Sequence, residues 1–459
     1  MSASSTTSDT RAVRRAASAS DRRFAVWLAV IAAVAFALRI VYVLTIAHHD
    51  PRGFGDPTYY HEQANLLAHG HGFSEPFTWL QDHRLIPAAT HPPLFTVVLA
   101  SSSVLGFTSY LAHKVVACLV GTATVVVVGL LGREIGGRRV GLIAAVIALA
   151  YPNLWVVDGI LLPEGLFALT VALVLLAAVR YRRSPRPVTA ALVGVAIGLA
   201  SLTRGEGIFL TFLLALPIAL LARQVTFRTR LVQLVTMAVA VLVVLAPWMI
   251  RNSQAFQRSV LLSTNSGDVL AQANCDPTYH GNLLGFWYFP CESTGVRGDA
   301  SVVSATQRDK GLRYIRHHLD RVPVVVAARV GRVWSVYRPA QGPHLDVIEG
   351  RNLRVSQAGL AAYWLLVPFA VAGVVILARR RSLALLPLLA PVAMVTLTAI
   401  TTYGTTRFRA GAEVSIVVLA TVAVDASVTA LRHGRREPAG GDDPARAARA
   451  DRPAVTGAA

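Results

Sequence analysis

Charged residues are scarce in this chain of 459 residues, since only 15% are Asp, Glu, Lys or Arg whereas 54% are hydrophobic. A chain of this length with so few charges is too apolar to form a single water-soluble core. The hydrophobic residues are not spaced with the period of an amphipathic helix or strand, but form long blocks with almost no charge. These features indicate a protein that crosses a membrane several times.

Cysteine is also rare, with three residues in the whole chain. Cys118 lies within an apolar run, where a small apolar residue needs no other role. Cys275 and Cys291 both lie in the segment 251–357, which we predict to be external and therefore oxidising enough for a disulfide. Two cysteines without a second pair are a weak signal for zinc. We therefore predict a disulfide between Cys275 and Cys291, and no metal site.

Acidic residues are outnumbered by basic ones, 25 against 44, which gives a net charge of +19. The basic residues are mostly spread over the short connections between apolar runs. Such clusters favour contact with lipid headgroups and argue against nucleic acid as a partner. Because Lys and Arg near the ends of spans stay in the cytoplasm, we predict a cell-membrane protein with both termini cytoplasmic and the long loops outside.

The apolar runs predict the fold class. A helix needs about 20 apolar residues to cross the hydrocarbon layer, so several runs fit only with tilt or with shielding by neighbours. We predict an all-α polytopic membrane protein with about ten spans, within a range of roughly nine to thirteen, plus outer juxtamembrane helices and a small external segment. The runs are 24–47, 111–131, 141–157, 166–179, 188–203, 208–221, 231–250, 358–378, 383–401 and 414–431.

The short apolar segment 94–104 sets the orientation of everything after it. At about eleven residues it is too short to cross, and two prolines precede it, so we predict a helix at the outer interface. The transmembrane domain is then 24–431, with a first external loop at 47–93 and a long external loop at 251–357. The flanks 1–23 and 432–459 are rich in small and polar residues and are predicted to be disordered cytoplasmic extensions.

Polar residues near the ends of apolar runs are the candidate functional residues. Polar side chains are costly in or near the membrane and therefore often mark a functional site. On the predicted topology they converge on the outer membrane face. Carboxylates and arginines in one place suit a reaction in which a base accepts a proton while a phosphate is held and leaves. The candidates are Asp56, Tyr59, Tyr60, His91, Asp158, Glu164, Arg204, Glu206, Arg407 and Arg409.

Each candidate also has a purely structural interpretation. Asp56, between a glycine and a proline, could organise a turn, and Glu164 follows a proline where a carboxylate complements the dipole of a helix. Arg204 could anchor the chain at the membrane interface. Arg407 and Arg409 are two residues apart and cannot face the same direction on a helix. One of these two arginines is therefore predicted to be structural.

A series of short motifs occurs in an order that resembles a known family. The motifs are Gly-Asp-Pro-x-Tyr-Tyr, Gly-x-Gly-Phe, His-Pro-Pro-Leu, Leu-Pro-Glu, Leu-Thr-Arg-x-Glu, Pro-Trp-x-Ile-Arg-Asn and a late Arg-Phe-Arg. Over residues 24–430 the chain resembles the membrane glycosyltransferases of the GT-C fold. The branch in question contains protein O-mannosyltransferases and lipid A aminoarabinose transferases.

The resemblance implies a polyprenyl-monophosphate sugar as donor, used on the outer membrane face without a cofactor. It implies Asp56 as general base, Glu164 as a second catalytic carboxylate residue, and Arg204 with Arg407 or Arg409 as contacts of the donor phosphate. Tyr59, Tyr60, His91, Asp158 and Glu206 are possible pocket residues. O-mannosyltransferases often have two adjacent acids where this chain has an acid followed by proline, and this difference argues against a protein hydroxyl as acceptor. Lipid, glycan and protein all stay open as acceptor.

Three other functions also stay open. A secondary transporter is likewise polytopic, but its charged residues lie near the bilayer midplane, often in repeated halves that this sequence lacks. A non-catalytic relative would bind lipid-linked sugars without turnover, and a ligase would move a whole oligosaccharide by similar chemistry. High Ala, Val and Arg content with few Lys suggests a GC-rich bacterial source; in an actinobacterial envelope the sugar would be mannose or arabinose on decaprenyl phosphate.

Overall fold

The computed structural model describes residues 5–49 and 55–434, with side chains for 20–49 and 55–432. Within these residues the regular structure is helical, apart from one isolated antiparallel bridge between Ser74 and Pro87. The all-α fold class is therefore confirmed. Beyond Gly434, the tail predicted to be disordered lies outside the described residues, as do residues 1–4 and 50–54.

Eighteen α-helices form the described part of the chain. Those of the first half are α1 Ser5–Thr45, α2 Asp56–Ala68, α3 Pro76–Asp82, α4 Leu94–Val104, α5 Tyr110–Gly136, α6 Arg138–Ala150, α7 Glu164–Arg183, α8 Pro187–Thr203 and α9 Leu216–Leu220. Those of the second half are α10 Phe227–Ala255, α11 Asn265–Ala273, α12 Asp276–Tyr279, α13 Ala300–His317, α14 Val322–Val333, α15 Gln341–Ile348, α16 Leu353–Arg379, α17 Leu385–Thr401 and α18 Ala410–Gly434. Short helical turns join several of them, including Val156–Gly159, Gly205–Ile208 and Thr406–Arg409.

Six helices among the described residues are long and apolar enough to cross a membrane, and the chain is a multi-pass membrane protein. They are Ser20–Thr45, Tyr110–Gly136, Glu164–Arg183, Phe227–Ala255, Leu353–Arg379 and Thr406–Arg432. The other apolar runs form shorter helices, including Pro187–Thr203, Gly205–Leu220 and Leu385–Thr401. Helix α4 has the bounds expected for the interfacial helix, and its depth in the membrane stays a prediction.

The N-terminal segment differs from the expectation of disorder. Helix α1 begins at Ser5 and continues without a break into the first apolar run. Alanine and arginine, which are frequent between residues 11 and 23, are strong helix formers. A helix already nucleated by the apolar run also extends at the low cost of one residue per hydrogen bond.

The packing of α7, α8 and α18 places polar residues at one end of the helix bundle. Helix α7 begins at Glu164, α8 ends directly before Arg204, and the turn that contains Arg407 directly precedes α18. Because α8 runs antiparallel to its neighbour α7, the end of one lies beside the beginning of the other. The three polar residues therefore meet although they are far apart in sequence.

Close helix contacts make this arrangement tight. Gly373 of α16 faces the backbone of α18, where an added Cβ would lie only 2.0 Å from the carbonyl oxygen of Leu419. Small residues at such crossings let membrane helices approach closely and gain dispersion contacts. The polar end of the bundle is covered by the long loop 251–357, in which α11 packs against α13.

Candidate active site

A cavity of about 890 Å³ lies between the polar end of the helix bundle and the long loop. Its bundle side carries charged and aromatic groups, and its loop side carries hydroxyl, amide and guanidinium groups. On the bundle side the lining includes Asp56, Tyr60, His91, Arg204, Glu206, Phe209, Tyr403, Arg407 and Phe408. On the loop side it includes Arg258, Ser263, Asn265, Ser266, Ser304 and Arg308.

Arg407 is the centre of the charged cluster. Its Nη2 donates to Asp56 Oδ2 at 2.9 Å, and its Nε donates to Glu164 Oε1 at 2.6 Å. The same Nε lies 3.4 Å from Glu349 Oε2. A guanidinium offers five N–H groups in a fixed plane, so one side chain can hold several carboxylates in defined positions. Arg407 thereby joins α2, α7 and the end of the long loop.

Arg204 forms a second ion-paired group beside Arg407. Its Nη1 donates to Glu164 Oε1 at 2.5 Å, and its Nε donates to Glu206 Oε1 at 2.6 Å. Its guanidinium also lies over the ring of Phe408, 5.4 Å from the centroid. Glu164 Oε1 thus bridges both arginines. The two guanidiniums form one positively charged wall in which each side chain is only about one-eighth exposed.

Asp56 is the carboxylate of this cluster that is most open to the cavity, with its side chain 32% exposed. Its second oxygen, Oδ1, lies 3.4 Å from His91 Nε2, and the His91 ring stacks on Tyr60 with 4.9 Å between centroids. Burial alone would raise the pKa of Asp56, but His91 and Arg407 outweigh burial and hold this pKa well below its usual range. Asp56 is therefore a carboxylate anion.

Several predicted residues do not line the cavity. Arg409 is buried on the far side of its turn, where Nε donates to Glu413 Oε1 at 2.7 Å and Nη1 donates to Ser335 Oγ at 2.9 Å. Asp158 is fully buried and accepts from Arg39 Nε at 2.8 Å. Both side chains therefore contact protein groups outside the cavity. Arg407, and not Arg409, is the arginine of the pair that faces the cavity.

Two further candidates lie just behind the cavity wall. Glu164 is only 1% exposed and reaches the cavity through Arg204 and Arg407 rather than directly. Tyr59 accepts a hydrogen bond from Gln63 at 2.7 Å and packs edge-on against His91. Both side chains therefore hold neighbouring residues of the site in place.

Sequence reasoning missed Glu349, which lies directly after α15 in the long loop. Its side chain is 6% exposed and contacts Arg407. Asp346 and Arg351 lie within three residues of it and form an ion pair at 3.6 Å. This charged stretch precedes the apolar run at 358, so it carried the same signal as the other candidates, namely polar residues at the end of a span.

The long loop contains the disulfide between Cys275 and Cys291, which ties the beginning of α12 to the turn Phe289–Cys291. Cys118 is buried and unpaired. Within the described residues, no group of three or more His, Cys, Asp or Glu side chains is arranged to hold a metal ion.

Comparison with known proteins gives a family match over part of the chain. Residues 90–250, about a third of the chain, match the family described as dolichyl-phosphate-mannose-protein mannosyltransferase. No curated protein matches significantly.

The structural similarity extends over most of the chain. The Archaeoglobus fulgidus oligosaccharyltransferase AglB, in complex with an inhibitory peptide and a dolichol-phosphate, matches with a TM-score of 0.53 and 15% identity, over 89% of this chain and 51% of that one. The enzyme from the same organism tethered to an acceptor peptide matches with a TM-score of 0.55 and 16% identity, over 89% and 50%. The chain thus spans about half the length of these archaeal proteins.

A weaker similarity links the chain to ArnT from Cupriavidus metallidurans bound to undecaprenyl phosphate, with a TM-score of 0.41 and 16% identity over 88% of this chain and 78% of that one. The archaeal structures superpose better, and we assign the fold from them. The chain therefore has a GT-C-like fold.

Proposed function

We propose that the protein transfers a sugar from a polyprenyl-monophosphate donor to an acceptor hydroxyl on the outer face of the cytoplasmic membrane. The observation that carries this proposal is one cavity with an anionic carboxylate, Asp56, beside two arginines, Arg204 and Arg407. A dolichol-phosphate is bound in the AglB structure of the same fold, which supports a lipid-linked donor. The family matched by residues 90–250 is named for a dolichyl-phosphate sugar donor as well.

Arg204 and Arg407 would hold the donor phosphate. Guanidinium forks match phosphate oxygens and stay charged at every physiological pH. Glu164 Oε1 accepts a hydrogen bond from both guanidiniums, so the two arginines are already in place before the donor arrives. As the sugar leaves, negative charge builds up on the phosphate, and preorganised cations stabilise that charge.

Asp56 would act as general base in a single displacement with inversion. Its carboxylate takes the proton of the acceptor hydroxyl while the acceptor oxygen bonds to the anomeric carbon and the bond from that carbon to the phosphate oxygen breaks. His91 and the positive charge of Arg407 hold the pKa of Asp56 low. A phosphate on Arg407 would offset this charge, so donor binding would make Asp56 a stronger base.

The loop side of the cavity would receive the acceptor. Ser266, Ser304 and Asn265 offer hydroxyl and amide groups there, which can donate to and accept from acceptor hydroxyls. This lining suits a lipid, glycan or protein that presents a hydroxyl group.

Reconstitution tests this proposal directly. Purified protein in liposomes would be supplied with a panel of polyprenyl-phosphate hexoses and pentoses, and release of free polyprenyl phosphate would be measured. We expect release with one member of the panel and an acceptor-dependent product. Saturable donor binding without release across the panel would instead support a non-catalytic binder of lipid-linked sugars.

The orientation is tested by labelling of introduced cysteines with a membrane-impermeant maleimide. The single unpaired cysteine, Cys118, is buried and should give little background. We expect Asp309→Cys on the exposed surface of α13 to react in intact cells. Arg183→Cys, at the end of α7 opposite to Glu164, should react only after permeabilisation. The reverse pattern would place the cavity in the cytoplasm and contradict the proposed site.

A further inference from the structure

The carboxylate of Glu349 has no part in the reaction described so far. Its side chain is 6% exposed and lies 3.4 Å from Arg407 Nε. Neither of its oxygens accepts a hydrogen bond from a described residue. Buried carboxylates are normally hydrogen-bonded, because an ionised group without such bonds is costly. This side chain is therefore poorly stabilised in its charged form.

Negatively charged groups outnumber positively charged ones around Glu349. Arg407 contacts Asp56, Glu164 and Glu349, and Arg204 contacts Glu164 and Glu206. Four carboxylates thus surround two guanidiniums. A bound phosphodiester adds one more negative charge in surroundings where like charges repel strongly. Binding is therefore favoured if one carboxylate loses its charge.

Glu349 is the carboxylate best suited to be neutralised. Asp56, Glu164 and Glu206 each accept a hydrogen bond from an arginine, which favours their ionised form. Around Glu349, burial raises the pKa most, Arg407 and Arg351 lower it, and Asp346 and Glu164 raise it. The resulting pKa of Glu349 is about 7.

We propose that Glu349 is a positioning residue that takes up one proton from solvent when the donor phosphate binds at Arg407, and releases it when the lipid phosphate leaves. This inference rests on the proposed function, since it places a phosphate on Arg407. The proton moves only between solvent and the carboxylate, and no bond of the donor changes in this step.

The direction of the pH effect follows from the linkage between proton binding and phosphate binding. Well below pH 7 Glu349 is already protonated in the free protein, so phosphate binding takes up no proton. Above pH 7 it is ionised in the free protein, and the affinity falls by up to about tenfold for each further pH unit. The fall stops above the pKa that Glu349 has in the complex.

Calorimetric titration of the purified full-length protein with farnesyl methyl phosphate tests this linkage. The probe is a diester and stays a monoanion, whereas a monoester titrates near pH 6. Titrations in two buffers of different ionisation enthalpy give the number of protons taken up. We expect a value near zero at pH 5.5 and about one at pH 8 for the wild type. Glu349→Gln should take up none and bind about tenfold more tightly than wild type at pH 8.

Asp346→Asn is the matched control. Asp346 lies on the same segment, contacts Thr406 and Arg351, and raises the pKa of Glu349. We expect this variant to keep the proton uptake with its midpoint at lower pH. Uptake that persists in Glu349→Gln would assign the proton to another group and overturn the inference, as would pH-independent binding by the wild type. Absence of saturable binding at every pH would instead contradict the proposed function.

Discussion

Replacement of Asp56 by Asn is expected to lower sugar transfer by about 100- to 10,000-fold, the usual contribution of a general base. The amide has nearly the same size but cannot take the proton of the acceptor hydroxyl. Asp56 is also the most exposed of the carboxylates that contact Arg407. The measurement is the rate of polyprenyl phosphate release at saturating donor and acceptor, with donor affinity determined separately by calorimetry.

Glu206→Gln is the comparison variant for this experiment. Glu206 also lines the cavity, but its carboxylate is paired with Arg204, which keeps Glu164 as a second partner. We expect a loss of about tenfold, equivalent to one hydrogen bond to a charged group. Equal losses in both variants, or a wild-type rate in Asp56→Asn, would contradict the assignment of Asp56 as base.

Replacement of Arg407 by Lys is expected to lower kcat/KM by about 100- to 1,000-fold, even though the positive charge is kept. The guanidinium contacts Asp56, Glu164 and Glu349 at once, and an ammonium group cannot reproduce this planar geometry. A lysine would leave these carboxylates less well paired and the leaving phosphate less stabilised. Steady-state kinetics with varied donor concentration measures this loss.

Arg308→Lys separates the geometry of Arg407 from a general need for arginine in the cavity. Arg308 lines the loop side, is about half exposed, and has its nearest carboxylate 3.8 Å away. Exposed charges of this kind contribute little, so we expect a loss below about tenfold. A comparable loss in Arg308→Lys and Arg407→Lys would argue against a specific phosphate contact by Arg407.

Local sequence patterns were sufficient for the membrane class and for most helices. The apolar runs predicted at 111–131, 166–179 and 231–250 all fall within longer helices of the structure. Helix α4 even has the predicted bounds. An apolar run forms a helix in a membrane because its backbone groups have no other partners there, and this requirement depends only on nearby residues.

The roles of the polar residues were only partly predictable. Their positions at the ends of apolar runs were visible in the sequence, because burying such groups is costly wherever they occur. The pattern also required that Arg407 and Arg409 point in different directions. It could not tell which of them faces the cavity, since both directions are equally consistent with their spacing.

That choice depends on residues distant in the chain. Arg407 faces Glu164 of α7 and Asp56 of α2, 243 and 351 residues away, whereas Arg409 faces Glu413 in the first turn of the adjoining helix α18. Glu349 likewise enters the site only because the long loop folds back over the helix ends. Local sequence pattern establishes where a charged side chain must find a partner. Only the tertiary structure decides which partner it finds, because these ion pairs form between helices that are far apart in sequence.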